Sequence, residues 1–181
     1  MSPHPQKNRD ENETPGYPMI RIALHWATVL SVVGAAGLGL WISDLGDDPL
    51  RVWGSRAHFF LGLFTGVLFV GRLVAWARMK PVAPLSLGEG HRRFMKAIHI
   101  GLYAVGLAMV GAGMATSITS GWPAYLSGEI AAAPNFTGLR EVHEILVFTF
   151  FGLVLLHVVG VLNHERVHGG TLRRMLSMST R

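Results

Sequence analysis

Nine histidines stand in a chain of 181 residues that is half hydrophobic and only 15% charged. Two of them, His143 and His157, are 14 residues apart. On a helix of 3.6 residues per turn that step returns to within about 40° of the same face, and it separates the rings by ~21 Å. Imidazole binds metals and titrates near neutrality, so such a row is suited to metal ligation or proton transfer. The chain has no cysteine. Disulfides, thiolate metal sites, iron–sulfur clusters and a thiol nucleophile are thereby excluded.

The elements that must carry these rings are four apolar stretches. They run from about Ile20 to Ile42, His58 to Ala77, Ala97 to Ser117 and His143 to Leu162. Each is close to the ~20 residues a helix needs to cross a hydrocarbon core of ~30 Å. A water-soluble bundle would show polar stripes at helical spacing, and the run Val142 to Leu162 has none. In lipid the backbone must satisfy its own hydrogen bonds, so helices are expected. The reading is an all-α, polytopic membrane four-helix bundle over residues 18–178. Residues 1–17, polar and rich in Pro and Asn, read as a disordered tail. The first span is too long for a cleaved signal peptide, and Asp44, Asp47 and Asp48 follow it instead of a small-residue cleavage site. No internal repeat stands out. The connection from Thr119 to Leu139 carries Trp122 and Tyr125, which suit a membrane interface.

The net charge of +5 is a record of orientation. Thirteen of the sixteen Lys and Arg fall in the N-terminal flank, the second connection and the C-terminal tail. The other side has Arg51, Arg56 and Arg140 among six acidic residues. The positive-inside rule places both termini in the cytoplasm. The basic residues sit at membrane edges with no recognition motif, which argues against nucleic acid as a partner.

Ionisable residues within spans mark functional sites by default. With this topology His25 and His157 lie near the inner face, and His58 and His143 near the outer face. Two pairs at two depths suit two flat macrocycles, each gripped from both sides. Haem b fits: iron accepts neutral imidazole, and a bundle core supplies the apolar slot. Two axial histidines leave no open position for oxygen, so electron transfer across the membrane is expected. Gly62, Gly66 and Gly160, close to the histidines, either admit a porphyrin edge or serve helix packing. From spacing alone His99, at the depth of His25, could equally partner His157. Two other readings compete. Lone intramembrane histidines can simply hydrogen-bond a neighbouring helix. A haem-free metal-ion transporter would also use imidazole, but zinc asks for four ligands at one depth.

Several strings together resemble one family. They are Arg21-Ile-Ala-Leu-His25-Trp26, His58 at the head of the second span, His99-Ile-Gly-Leu-Tyr103, His143-Glu144, the step to His157, and Leu172-Arg-Arg-Met175. The chain resembles the bacterial cytochrome b-561 family of small four-helix di-haem b proteins. The layout is also similar to the cytochrome b subunits of nickel–iron hydrogenases and formate dehydrogenases. The resemblance implies that His25 and His157 ligate a cytoplasmic-side haem b and that His58 and His143 ligate a periplasmic-side one. It further implies the bacterial inner membrane, and ubiquinone as the electron partner. Some members pass electrons from superoxide to ubiquinone, and that activity is the expectation here. The alternative is a membrane-anchor subunit that takes electrons from a protein donor, a separate dehydrogenase.

Secondary candidates remain. His99 is a candidate contact to quinone or to a haem propionate. Arg21, Arg72 and Arg140 are candidate propionate partners, because Arg matches carboxylates bidentately. His164 and His168, with Asn163 and Glu165, could line a quinone site or a proton path, but the favoured reading is a solvated helix end; His4 and His91 read as peripheral.

Overall fold

The computed structural model describes residues 17–46, 48–79, 88–129 and 138–169. The proposed tail up to Gly16 and the Leu172–Met175 string lie outside the described residues, as does the side chain of His168. The described chain is all-helical. Four long helices carry it: α1 (Met19–Asp44), α2 (Leu50–Arg78), α3 (Glu89–Thr119) and α5 (Gly138–His168). Each is long and apolar enough to cross a membrane. They overrun the apolar stretches by several residues at the start of α2 and α3 and at both ends of α5, where charged and amphipathic residues continue the helix.

A short helix, α4 (Trp122–Ser127), lies in the third connection. Glycines bound it on both sides, with Gly121 at φ 73° and Gly128 at φ 89°. That left-handed conformation costs glycine little, and Pro123 sits in the first turn, where its missing N–H is harmless. Trp122 is buried and stacks edge-on with Tyr125 at 5.2 Å. The aromatics that suggested an interface therefore form a small cap beside α2 and α3.

The long helices pack as two antiparallel hairpins, α1 along α2 and α3 along α5, joined where α2 meets α3. No extended backbone contact joins α1 to α3 or α5, or α2 to α5, among the described residues. Backbone contact is thus close within each hairpin and sparser between them. In its middle, Phe69 bridges the halves. Its ring lies 6.1 Å from Tyr103 and 5.9 Å from Phe150, edge-on to both. Phe69 packs over Gly106, where a Cβ would come within 2.6 Å of its ring. Val32 completes this core.

Elsewhere large apolar side chains point outward. Trp76, Phe148 and Leu30 are each more than two-thirds exposed. In a membrane these faces meet lipid, and burial inside the protein is not what holds them. Hydroxyls within the spans are satisfied locally. Thr28, Thr65 and Thr116 each donate to the carbonyl four residues back, at 2.6–2.8 Å. Of the glycines considered for a porphyrin edge, Gly66 packs against Val110 and Gly160 against Met95. Those two serve helix–helix contact. Gly62 has open space around it.

Candidate functional site

The four proposed ligands fall at two levels. At the end nearer α4, His58 of α2 and His143 of α5 meet across the gap between the hairpins. Their ring centres are 6.3 Å apart and their planes nearly perpendicular. Each ring is held in the same way. His58 Nδ1 lies 2.9 Å from the carbonyl oxygen of Ala35 on α1. His143 Nδ1 lies 2.9 Å from the carbonyl oxygen of Met109 on α3. A carbonyl only accepts, so Nδ1 must carry the proton in both rings and Nε2 keeps its lone pair. One turn beyond each carbonyl is a glycine. A Cβ on Gly39 would sit 3.2 Å from His58 Cε1, and one on Gly113 would sit 3.1 Å from His143 Cε1. Each glycine lets an imidazole lie against the neighbouring helix. The two hairpins thus repeat one device, a carbonyl and a glycine four residues on that clasp a histidine from the next helix. The sequence betrays no repeat because the identities around the device differ.

At the other end His25 of α1, His99 of α3 and His157 of α5 gather near Arg72 of α2, close enough for their charges to interact. His99 and His157 are in edge-to-face contact, with ring centres 4.8 Å apart. His99 is largely exposed, and its Nδ1 is 2.7 Å from the Met95 carbonyl on its own helix. The buried Nδ1 of His157 has no hydrogen-bond partner among the described residues. The Arg72 guanidinium lies over the Tyr103 ring at 5.4 Å. No carboxylate pairs with it among the described residues.

The sequence matches the family described as prokaryotic cytochrome b561 over residues 16–178. The chain belongs to this family. It is a membrane haem b electron-transfer protein. No curated protein matches it in sequence.

The residues of this cytochrome b561 fit the group that its family binds. Two imidazole–metal bonds of about 2 Å each, with the half-widths of two rings, span roughly 6 Å between ring centres. The His58–His143 spacing meets that requirement. Locking Nδ1–H onto a carbonyl is the usual way a protein orients a metal-ligating histidine and raises its basicity. Both rings do bond a neighbouring helix, as the simplest packing account supposes, yet the bond uses Nδ1 and leaves Nε2 available to a metal. The His99–His157 contact is shorter than two such bonds allow. Among the described residues no group of three or more His, Asp or Glu is placed to hold a metal ion.

The arginines divide. Arg72 is the one set near His25 and His157 at the termini end. Arg21 donates to the Met79 carbonyl at 3.2 Å and ties the start of α1 to the end of α2. Arg140 is in an i,i+4 pair with Glu144 at 2.7 Å and so already faces a carboxylate. At the α4 end, Arg56 stacks on Trp53 at 5.2 Å. Arg56 also lines a cavity of about 280 Å³ with Phe59, Phe60 and Leu126.

Sequence reasoning missed Gly39, Gly113 and the two carbonyls, because a contact between helices leaves no local pattern. It also misjudged His164. That residue is 5% exposed, not solvated, and lies against His91 with ring centres 6.3 Å apart. The available signal was its position seven residues after His157, which keeps it on the same face.

Proposed function

We propose that this cytochrome b561 binds two haems b and carries electrons one at a time across the bacterial inner membrane to ubiquinone. His58 and His143 hold the haem at the α4 end, and His157 with His25 holds the one at the termini end. The observation that carries the reading is the His58–His143 pair: ring centres 6.3 Å apart, each Nδ1 fixed to a backbone carbonyl. Macrocycles held by these rings would lie between the two hairpins. When bound, haem iron supplies a one-electron couple closed to oxygen by its two axial imidazoles.

The chain's own residues set the rest. Phe69, Tyr103 and Phe150 fill the layer between the two levels and keep it dry. Arg72 supplies a positive charge at the inner level, which suits a propionate. His99, exposed beside His157, is placed to meet quinone or a propionate. The charge bias supports a cytoplasmic position for the termini end, with its basic residues.

Superoxide is the proposed donor at the α4 end. Arg56, half-buried at the α4 end and lining a cavity there, supports this reading. A local cation can focus an anion against an unfavourable total charge. Purified protein, ubiquinone and a superoxide source test it. Quinone reduction that superoxide dismutase abolishes is expected. Quinone reduction only in the presence of a co-purifying dehydrogenase would make the chain an anchor subunit instead.

A further inference from the structure

One pair of imidazoles takes no part in either proposed haem site. His91 lies in the first turn of α3, and His164 lies near the end of α5. Their rings are 6.3 Å apart, tilted by 41°. His91 is half-buried, while His164 is among the most buried polar residues described. The register of α5 explains this. His143, Phe150, His157 and His164 recur every seven residues, so His164 stays on the seam towards α3, ~10.5 Å beyond His157 along the helix. Because α3 runs antiparallel, it sets His99 against His157 and His91 against His164. Met95 packs onto Gly160 between the two levels. The pair therefore lies between the inner site and the water at the termini end.

The surroundings argue against a resident cation. Glu89, Arg92, Arg93 and Lys96 are the charged neighbours on α3, and Glu165 and Arg166 those on α5. Arg72 and Arg78 on α2, with Arg21 and His25 on α1, add the charges of the remaining inner ends. Positive groups predominate, Glu89 is already bonded to Arg93 at 2.6 Å, and no third metal ligand joins the two rings among the described residues. An imidazole can take a proton at one ring nitrogen and release one from the other, so two adjacent rings without further ligands suit passing protons rather than holding an ion.

Reduction of a quinone to a quinol takes two electrons and two protons and forms two O–H bonds. Bound haem would supply the electrons singly, and the protons must reach the quinone oxygens from water. We propose that His91 and His164 are the proton-uptake pair for quinone reduction at the termini end. His91 takes a proton from water and passes it to His164, which releases it towards the quinone oxygen. This rests on the reading that quinone is reduced at that end.

The test uses the full-length, haem-loaded protein in detergent. The haems are reduced chemically and mixed rapidly with a short-chain ubiquinone. Haem reoxidation and proton uptake by a pH-indicator dye are followed from mildly acidic to alkaline pH. The variants are His91→Gln, His164→Gln and the double variant. Reoxidation by quinone is expected to slow at least about ten-fold on the alkaline side, with dye-reported uptake slowing in parallel and added imidazole restoring part of the rate. The double variant should be no slower than the slower single one, because the two act in series. Reoxidation by ferricyanide, which needs no proton, should be unchanged.

Wild-type rates and pH profiles in both single variants would overturn the relay alone. Equal slowing with ferricyanide would overturn it too, since the fault would then lie in the haem. Wild-type protein that reacts with ferricyanide but not with quinone would overturn the quinone reading and the relay with it. If His164→Gln loses haem, His91→Gln on the half-buried ring decides alone by the same criteria.

Discussion

Replacing Gly113 by alanine separates two effects that usually move together. In a helix interior alanine is better than glycine by about 1 kcal/mol, so α3 itself should gain stability. The new Cβ, however, would stand 3.1 Å from both Cε1 and Nδ1 of His143. The ring must retreat by a few tenths of an ångström to reach ordinary contact. That motion acts on the 2.9 Å bond from Nδ1 to the Met109 carbonyl. Losing an outer-shell partner of a metal-ligating histidine typically costs 10–100-fold in metal affinity, equivalent to about 1.4–2.7 kcal/mol. Gly113→Ala should therefore retain haem ten-fold or more less tightly at the α4-end site, with helix content undiminished. Gly39→Ala should do the same through His58. Gly111→Ala is the control: it lies on the same helix with nothing within 4 Å of its Cβ, and it should keep both haems. The assay is haem per chain by pyridine haemochrome, with haem loss to apomyoglobin followed over time. Wild-type haem retention in Gly113→Ala would refute the claim that the glycine positions the ligand.

Other consequences follow from the same geometry. His58→Ala and His143→Ala should each remove the same haem and spare the other, as read from redox-difference spectra. Loss of different haems would break the pairing. His25→Ala should abolish the termini-end haem while His99→Ala keeps it. The reverse result would make His99 the partner of His157. Arg72→Gln removes a positive charge worth ~1–2 kcal/mol to a nearby one-electron centre at an effective dielectric of about 20. The midpoint potential of the termini-end haem should fall by several tens of millivolts, as measured by redox titration. Glu144→Gln should free Arg140 from its exposed pair at little cost in stability, below about 1 kcal/mol. It should raise the superoxide-driven rate and steepen its dependence on salt.

The spans were legible because lipid demands long apolar runs, and α1, α2, α3 and α5 contain all four stretches read from the sequence. The row on α5 was legible because His143 and His157 obey helical spacing. What the sequence left dark depends on contacts between helices. That α1 clasps His58 and α3 clasps His143 follows from hairpin packing. The glycines that permit it look like any others in a membrane helix. His164 was misjudged because its neighbours Asn163, Glu165 and Arg166 are polar, while its burial comes from the seam with α3. Helix α4 was not read from the sequence, because a six-residue helix bounded by Gly121 and Gly128 is too short for periodicity to register. Spacing left His25 and His99 as rival partners of His157, and the structure brings all three rings to one level.

The central claim is two bis-histidine haems b in one chain. Haem quantification on the purified protein, with a low-temperature reduced-minus-oxidised spectrum, tests it most directly. The account predicts two haems b per chain, both low-spin and six-coordinate, with two resolvable redox steps. A preparation saturated with haem that holds only one per chain, or none, would contradict it.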